Sequence, residues 1–225
     1  MKNNRDIFIT HDDEYIIYDK LIEYKKNNYI FGPVGWVRAY LDDRLVVDQP
    51  NLVVAQGREF VAIKTFEVIS TDDGTGNRPD FTSYKISHFG VGKGGSTIID
   101  DEVTLTGPQY CDTSLYNPIQ LSDGGDYLTE PNGTQYVLKS ITSDGSIYLE
   151  PSGNCDPDYY TKVKCTCVVA AGEPTTLEPG DSVKIDEAAL FFTNGTTARI
   201  FSHICFTPKW KEKESTFTLV WYILY

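Results

Sequence analysis

Ile185-Asp186-Glu187-Ala188-Ala189-Leu190-Phe191-Phe192, then Asn194-Gly195, then Ala198-Arg199-Ile200-Phe201-Ser202-His203-Ile204-Cys205-Phe206: this stretch decides the fold class. Two runs of strand-favouring residues flank an Asx-Gly turn, the strongest short-range signal for a β-hairpin. A basic link, Pro208-Lys209-Trp210-Lys211, leads to a third apolar run, Phe217-Thr218-Leu219-Val220-Trp221-Tyr222-Ile223-Leu224-Tyr225. The strands read as parts of a packed sheet, and nothing in them has the pattern of a catalytic motif.

Upstream, the same rhythm repeats. Trp36 to Leu41 alternates as a strand, Asp42-Asp43 marks a turn, and Leu45-Val46-Val47 is the return. Phe60, Ile63 and Phe66 recur at three-residue spacing, which predicts a helix over about 56–67, with Asn51 as a cap or turn residue. Tyr84 to Gly92 reads as a strand ending in glycines, and 100–126 as polar and irregular. Tyr136 to Thr142 and Ile147 to Leu149 flank Asp144-Gly145 and read as a hairpin, and Lys162 to Ala170 as a further strand. Short strands separated by Asx-Gly turns, with no βαβ rhythm, predict a mainly β chain. The expected fold is an antiparallel β-sandwich, jelly-roll-like, with one short helix. The sandwich spans 36–225 and carries a long loop insertion over about 100–160. Residues 1–35 form an N-terminal arm in which Ile16, Ile17, Leu21 and Ile22 fit an amphipathic helix around 13–26. The arm packs either on a neighbouring subunit or on its own domain.

Bulk properties narrow the function. The 225 residues suit one large all-β domain, or a domain plus an arm. Net charge is −12 and diffuse, which argues against nucleic acid, since phosphate binding needs clustered Lys and Arg. No segment has the roughly 20 apolar residues of a membrane span, and the polar Met1-to-Asp6 stretch does not suggest a signal peptide. Five cysteines without an export signal are expected to be reduced, so the sequons at Asn132 and Asn194 read as Asn-Gly turns.

Several local patterns invite chemistry. Phe89-Gly90-Val91-Gly92-Lys93-Gly94-Gly95-Ser96-Thr97 resembles a phosphate loop but fails its spacing, because Gly-Gly separates Lys93 from Ser96. A strand-to-loop turn, with glycines supplying positive φ, fits better. Cys165-x-Cys167 places two thiols on one strand face, either as core residues or as part of a zinc site. Cys111, Cys155 and Cys205 lie far away in sequence, and no metal or cofactor is expected. The acids Asp100-Asp101-Glu102 and Asp123 to Asp126 lack the spacing of a calcium loop. Ser87-His88 and Ser202-His203 are strand neighbours whose side chains point to opposite faces, so neither is a self-contained dyad. Aromatic residues in polar surroundings remain as candidate interface positions: Tyr15, Tyr18, Tyr24, Tyr29 and Phe31 in the arm, and Tyr110, Tyr116, Tyr127, Tyr159 and Tyr160 in the loops. They fill a partner's pocket, stack on sugar, or tuck onto their own domain.

The order of four segments resembles that of tailed-bacteriophage virion proteins. Asn51-Leu52-Val53-Val54-Ala55-Gln56-Gly57-Arg58 is similar to their "N-x-hydrophobic-V-x-x-G-R" stretch, and Ile86 to Gly94 to their "I-x-x-hydrophobic-x-V-G-x-G" strand and loop. Ile185 to Phe191 resembles "I-x-E-x-G-L-F", with Ala189 where the pattern has Gly. Arg199 to Ile223, through Lys211, is similar to the closing "R-x-x-F … K … L-x-V-x-W-x-I". The resemblance covers about 37–66, 84–95 and 183–225. It implies a non-enzymatic structural component of the tail, neck, collar or fibre-attachment apparatus, present as a homo-oligomer among other virion proteins and assembled in the host bacterial cytoplasm. A receptor- or glycan-binding tail-tip module is the alternative, and a tail-borne glycan hydrolase the third. Glu187 and Arg199 are expected to pair across the Asn194-Gly195 turn.

Overall fold

A computed structural model describes residues 11–28, 32–66, 81, 83–121, 126–129, 135–141, 147–149 and 162–225. The elements run α1 (His11–Asn27), β1 (Val34–Leu41), β2 (Arg44–Val53), α2 (Ala55–Phe66), β3 (Lys85–Gly92), β4 (Ser96–Ile99), β5 (Glu102–Leu105), β6 (Asp126–Thr129), β7 (Gln135–Ser140), β8 (Ile147–Leu149), β9 (Lys162–Val169), β10 (Ser182–Thr193), β11 (Ala198–Glu212) and β12 (Phe217–Leu224). Ten strands form one curled sheet in the order β6-β7-β3-β10-β11-β2-β1-β12-β9-β8, and β4-β5 is a separate ribbon. The described strand pairs are antiparallel. The chain is therefore mainly β and sandwich-like.

The sheet curls because β2 serves both layers. It pairs with β1 along most of its length, and with β11 only at Leu52 and Val53. Pro50, which has no N–H to donate, lies opposite Trp36 and before that second pairing begins. One core fills the space between the layers. Val37, Ala39, Cys165, Cys167, Leu219 and Trp221 come from one layer, and Phe89, Val91, Ala188, Leu190, Phe201 and Phe206 from the other.

Both layers are also covered on the outside, which explains why the closing strands are apolar almost without alternation. On β12 every residue is buried. Phe217, Leu219, Trp221 and Ile223 face the core, while Val220, Tyr222 and Leu224 lie beneath α1. Ile17, Tyr18 and Leu21 of α1 fill that outer cluster, with Tyr18 edge-on to Tyr222 at 5.7 Å. Of the two arm readings, the structure thus has α1 packed on its own domain. Helix α2 crosses β11 at Gly57, where an added Cβ would overlap the Phe201 carbonyl oxygen. That close approach brings Phe60 onto Phe192, stacked at 4.6 Å.

Several sequence expectations are corrected. Asn51 is a strand residue opposite Gly35, and the first helical N–H of α2, on Ala55, is instead capped by the Tyr110 carbonyl at 2.8 Å. Ile147–Leu149 pairs with β9 and Gln135–Ser140 with β6 and β3, so these two runs belong to opposite ends of the sheet and form no hairpin with each other. Asp144-Gly145 and Asn132 lie outside the described residues. The Asn194-Gly195 turn is four residues long, closed by the Asn194 side-chain oxygen accepting from the Thr196 and Thr197 amides at 3.1 and 2.8 Å. The stretch read as irregular from residue 100 begins with the turn and second strand of the β4–β5 hairpin. Its turn residues, Asp100 and Asp101, both adopt left-handed backbone at φ 50° and 65°.

Candidate functional site

Three fully buried polar residues, Asp186 and Glu187 of β10 and His203 of β11, stand on neighbouring strands. A register shift between Ile185 and Glu187 takes Asp186 out of the ladder. Such a bulge lets two consecutive side chains serve the same side of a strand. Both carboxylates are fully buried, and both are spent on the glycine loop. Asp186 Oδ1 accepts from the Gly95 amide at 2.9 Å, and Oδ2 accepts from the Ser96 hydroxyl at 2.6 Å and pairs with Lys184 at 2.6 Å. Glu187 Oε1 accepts from the Gly94 and Asn117 amides at 2.9 and 2.8 Å, and Oε2 from the Tyr116 amide at 2.9 Å.

These bonds fasten a strap, residues 106–121, across the layer. The strap starts near α2, where Tyr110 lies beneath the Arg58 guanidinium, and ends at β3, where the Ile119 amide reaches the Val91 carbonyl at 2.9 Å. Leu115 is its apolar foot, set among Ala189, Phe191 and Ile200.

His203 sits under the strap, fully buried, with a carboxylate on each ring nitrogen. Asp112 faces Nδ1 at 2.7 Å and Glu187 faces Nε2 at 3.2 Å, with Cys205 Sγ 3.9 Å from Nε2. Burial alone would favour the neutral ring. The Asp112, Cys205 and Glu187 contacts outweigh it and hold the imidazolium up to about 11. Burial likewise opposes the charged forms of Asp112 and Glu187, yet their hydrogen bonds, first those from His203, keep both carboxyls below the usual range. The cluster is a buried carboxylate–imidazolium–carboxylate line. Tyr116 closes it, edge-on to His203 at 5.0 Å, with its single hydroxyl hydrogen shared between Asp112 at 3.0 Å and the Gly107 carbonyl at 2.9 Å. Chemically this is an electrostatic lock: each charge faces a partner, and each carboxylate oxygen is occupied.

Other candidates find different roles. Gly90, Gly92, Gly94 and Gly95 do not adopt positive φ. The loop needs glycine for close approach, because a Cβ on Gly95 would overlap the Asp186 carbonyl oxygen. Cys165 and Cys167 do share a strand face, the one toward the core, where burial pushes the Cys165 thiol up to about 12 and that of Cys167 well up. Among the described residues, no group of three or more His, Cys, Asp and Glu is arranged to hold a metal ion. Ser87 and His88 are in contact, Oγ to Nδ1 at 2.9 Å, contrary to strict alternation. A bulge at Ser87 is the cause: His88 pairs with Phe191 and Ile86 with Phe192, leaving Ser87 out of register. Lys211 is fully buried and donates to the Glu173 carbonyl at 2.7 Å; desolvation lowers its pKa.

The expected Glu187–Arg199 pair does not form. The turn sets Arg199 opposite Phe192, with its guanidinium over the Phe81 ring at 5.4 Å, while Glu187 lies opposite Cys205.

The aromatic candidates divide. Tyr18 is buried in its own chain, and Tyr24 is half-buried beside Trp36. Tyr110 is exposed and Tyr116 partly so, its hydroxyl already committed. Tyr15 belongs to α1 and Tyr127 to β6, but their side chains lie outside the described residues, as do Tyr29, Phe31, Tyr159 and Tyr160 altogether. Sequence reasoning missed the His203 lock. Its signal was present in Asp186-Glu187 and His203, charged groups set within apolar strands that must find buried partners. No family model, no curated protein and no solved structure matches the chain.

Proposed function

We propose that the protein is a non-enzymatic structural component of a tailed-phage virion, in the tail, neck, collar or fibre-attachment apparatus, where copies and neighbours assemble on its surface. One observation carries this reading: residues that bear the family resemblance serve as scaffold, joined to one another and to the segments between them. Gly57 admits α2 to the Phe201 backbone, Asp186 and Glu187 hold Gly94, Gly95 and the strap, and Lys211 ties β11 to Glu173. Groups that would otherwise suggest acid–base chemistry are occupied with backbone amides and with one another, which is what a rigid assembly part requires.

The test is quantitative mass spectrometry of banded particles produced from the encoding genome, beside particles from which the gene has been deleted. The expected result is a fixed stoichiometry relative to the other particle proteins, and incomplete particles without the gene. Its absence from intact, infective particles would overturn the reading.

A further inference from the structure

The turn between β10 and β11 sets an asparagine side chain in an activating environment. Thr193 pairs with Ala198, and residues 194–197 make the turn. Asn194, Gly195 and Thr196 are exposed, while Thr193 at the base is buried. Three donors converge on Asn194 Oδ1: the Thr196 amide at 3.1 Å, the Thr196 hydroxyl at 3.1 Å and the Thr197 amide at 2.8 Å. The Asn194 backbone amide reaches the Thr197 carbonyl at 3.3 Å and closes the loop. Asn194 Nδ2, by contrast, donates to no protein group among the described residues.

Gly195 supplies a second reactive group. Its amide N–H makes one long contact, 3.4 Å to the Thr193 hydroxyl, and it has no side chain to shield the nitrogen. Its φ of 97° is a backbone conformation that glycine adopts without steric cost. This nitrogen follows Asn194 directly in the chain, so the chain itself holds it near Asn194 Cγ, and proximity of that kind lowers a barrier.

We infer that Asn194 is a self-modification site, whose side-chain amide is converted to a carboxylate through a cyclic imide, with water as the co-reactant. Hydroxide takes the Gly195 amide proton, and the nitrogen pair forms a bond to Asn194 Cγ. The carbonyl π pair moves onto Oδ1, which becomes an oxyanion. The three donors already point at that oxygen, and donors fixed where charge develops accelerate acyl transfer. The oxyanion collapses, the Cγ–Nδ2 bond breaks, and Nδ2 leaves as ammonia with a proton from water. Water then adds to one of the two ring carbonyls and breaks its bond to the ring nitrogen. Opening at Cγ gives aspartate, and opening at the main-chain carbonyl gives isoaspartate. One water is consumed, one ammonia is released, and the turn gains a negative charge. An aspartate retains the cap, because a carboxylate accepts from the same two amides more strongly. An isoaspartate routes the main chain through Cγ and lengthens the turn by one methylene.

The chain carries its own reference, since Asn132-Gly133-Thr134 repeats the tripeptide Asn194-Gly195-Thr196. Peptide mapping by mass spectrometry follows both sites in the full chain, folded at neutral pH and denatured in guanidinium chloride. In denaturant the two sites should convert at matching rates. In the folded chain Asn194 should convert at least as fast as in denaturant. Thr196→Ala removes the hydroxyl donor and should slow Asn194 about threefold or more in the fold, with no change in denaturant. Thr196→Ser keeps the hydroxyl and should keep the parent rate. A native melting transition verifies that each variant is folded; if Thr196→Ala is not, the parent's folded and denatured rates decide alone. Slower conversion of Asn194 in the folded parent than in denaturant overturns the proposal, as does a folded Thr196→Ala chain that matches the parent. The conversion is a property of the chain itself, so either result leaves the virion reading where it stands.

Discussion

Glu187→Gln exchanges one carboxylate oxygen for an NH2 group at almost constant volume, and the geometry fixes what this does. The new carbonyl can keep the place of Oε1 and serve the Gly94 and Asn117 amides, 2.9 and 2.8 Å away. The NH2 then meets the Tyr116 amide and His203 Nε2, which are both donors when the ring is charged. One buried backbone amide loses its acceptor, which costs about 1–3 kcal/mol, and His203 loses a charged partner, worth about another 1.5–3 kcal/mol. The sum is about 2.5–6 kcal/mol, which brackets the roughly 3–5 kcal/mol found when one member of a buried ion pair is removed. That is a large share of the roughly 5–15 kcal/mol that holds a domain folded.

Because the lost Tyr116 bond fastens the strap, while the His203 contact joins β11 to β10, part of the cost should appear as local release of 106–121 rather than global unfolding. Native-state hydrogen exchange reads this directly. The Tyr116 amide should lose protection first, with Gly94 and Asn117 retaining more. Urea unfolding followed by tryptophan fluorescence gives the global part. A Glu187→Gln protein within about 0.5 kcal/mol of the parent, with unchanged protection at Tyr116, would refute the account of Glu187 as the fastening of the strap.

Three further outcomes are expected. His203 is held charged in the fold up to about 11, so its contribution is complete below the unfolded value near 6.5 and is lost as pH rises through the folded value. The lowered Asp112 and Glu187 contribute above the unfolded carboxyl values and lose that contribution as pH falls through their folded ones. The parent should therefore lose stability between pH 7 and 9 at up to about 1.4 kcal/mol per unit, and His203→Gln much less steeply. Equal slopes from urea titrations at several pH values would rule this out. Gly57→Ala should raise stability by about 0.5–1 kcal/mol on helix propensity alone. Overlap with the Phe201 carbonyl predicts a loss of about 1–3 kcal/mol instead, and a raised melting temperature would contradict the close approach. In a Cys155→Ser background, a thiol reagent should label exposed Cys111 promptly and Cys165, Cys167 and Cys205 only on unfolding; prompt labelling of the buried set would show that the core is open.

The sequence reveals those elements whose pattern is local. Helix α2 follows from the three-residue spacing of Phe60, Ile63 and Phe66, and β1, β3, β10, β11 and β12 from apolar runs between turn residues. The β4–β5 hairpin escapes because its turn is Asp100-Asp101. The left-handed conformation of that pair looks in sequence like one more solvated acidic loop. The partner of Ile147–Leu149 escapes because three apolar residues carry no information on register, and β9 claims them through the fold. The lock is half legible. Asp186, Glu187 and His203 lie on strands that any hairpin reading pairs, but Asp112 comes from a strap 91 residues away from His203.

Asp186-Glu187 and Gly94-Gly95 are best understood as one device, although their separation in sequence hides it. A regular strand would send Asp186 into the core and Glu187 outward. The bulge brings both acids to the loop, so that two consecutive carboxylates meet two consecutive amides. Two consecutive amides can approach a strand this closely only if neither residue carries a side chain, and a Cβ on Gly95 would strike the Asp186 backbone. The acids cannot be buried without those donors, and the donors cannot reach the acids without glycine. Either half alone would be a defect: two uncompensated charges within an apolar strand, or a flexible glycine loop with nothing to order it. Together they set the direction in which the β4–β5 ribbon leaves the sandwich, because Ser96, its first residue, is bonded through its hydroxyl to Asp186 and through its carbonyl to Lys184. The buried charges of β10 thereby fix the base of the ribbon that carries the exposed Ile98, Ile99, Val103 and Leu105.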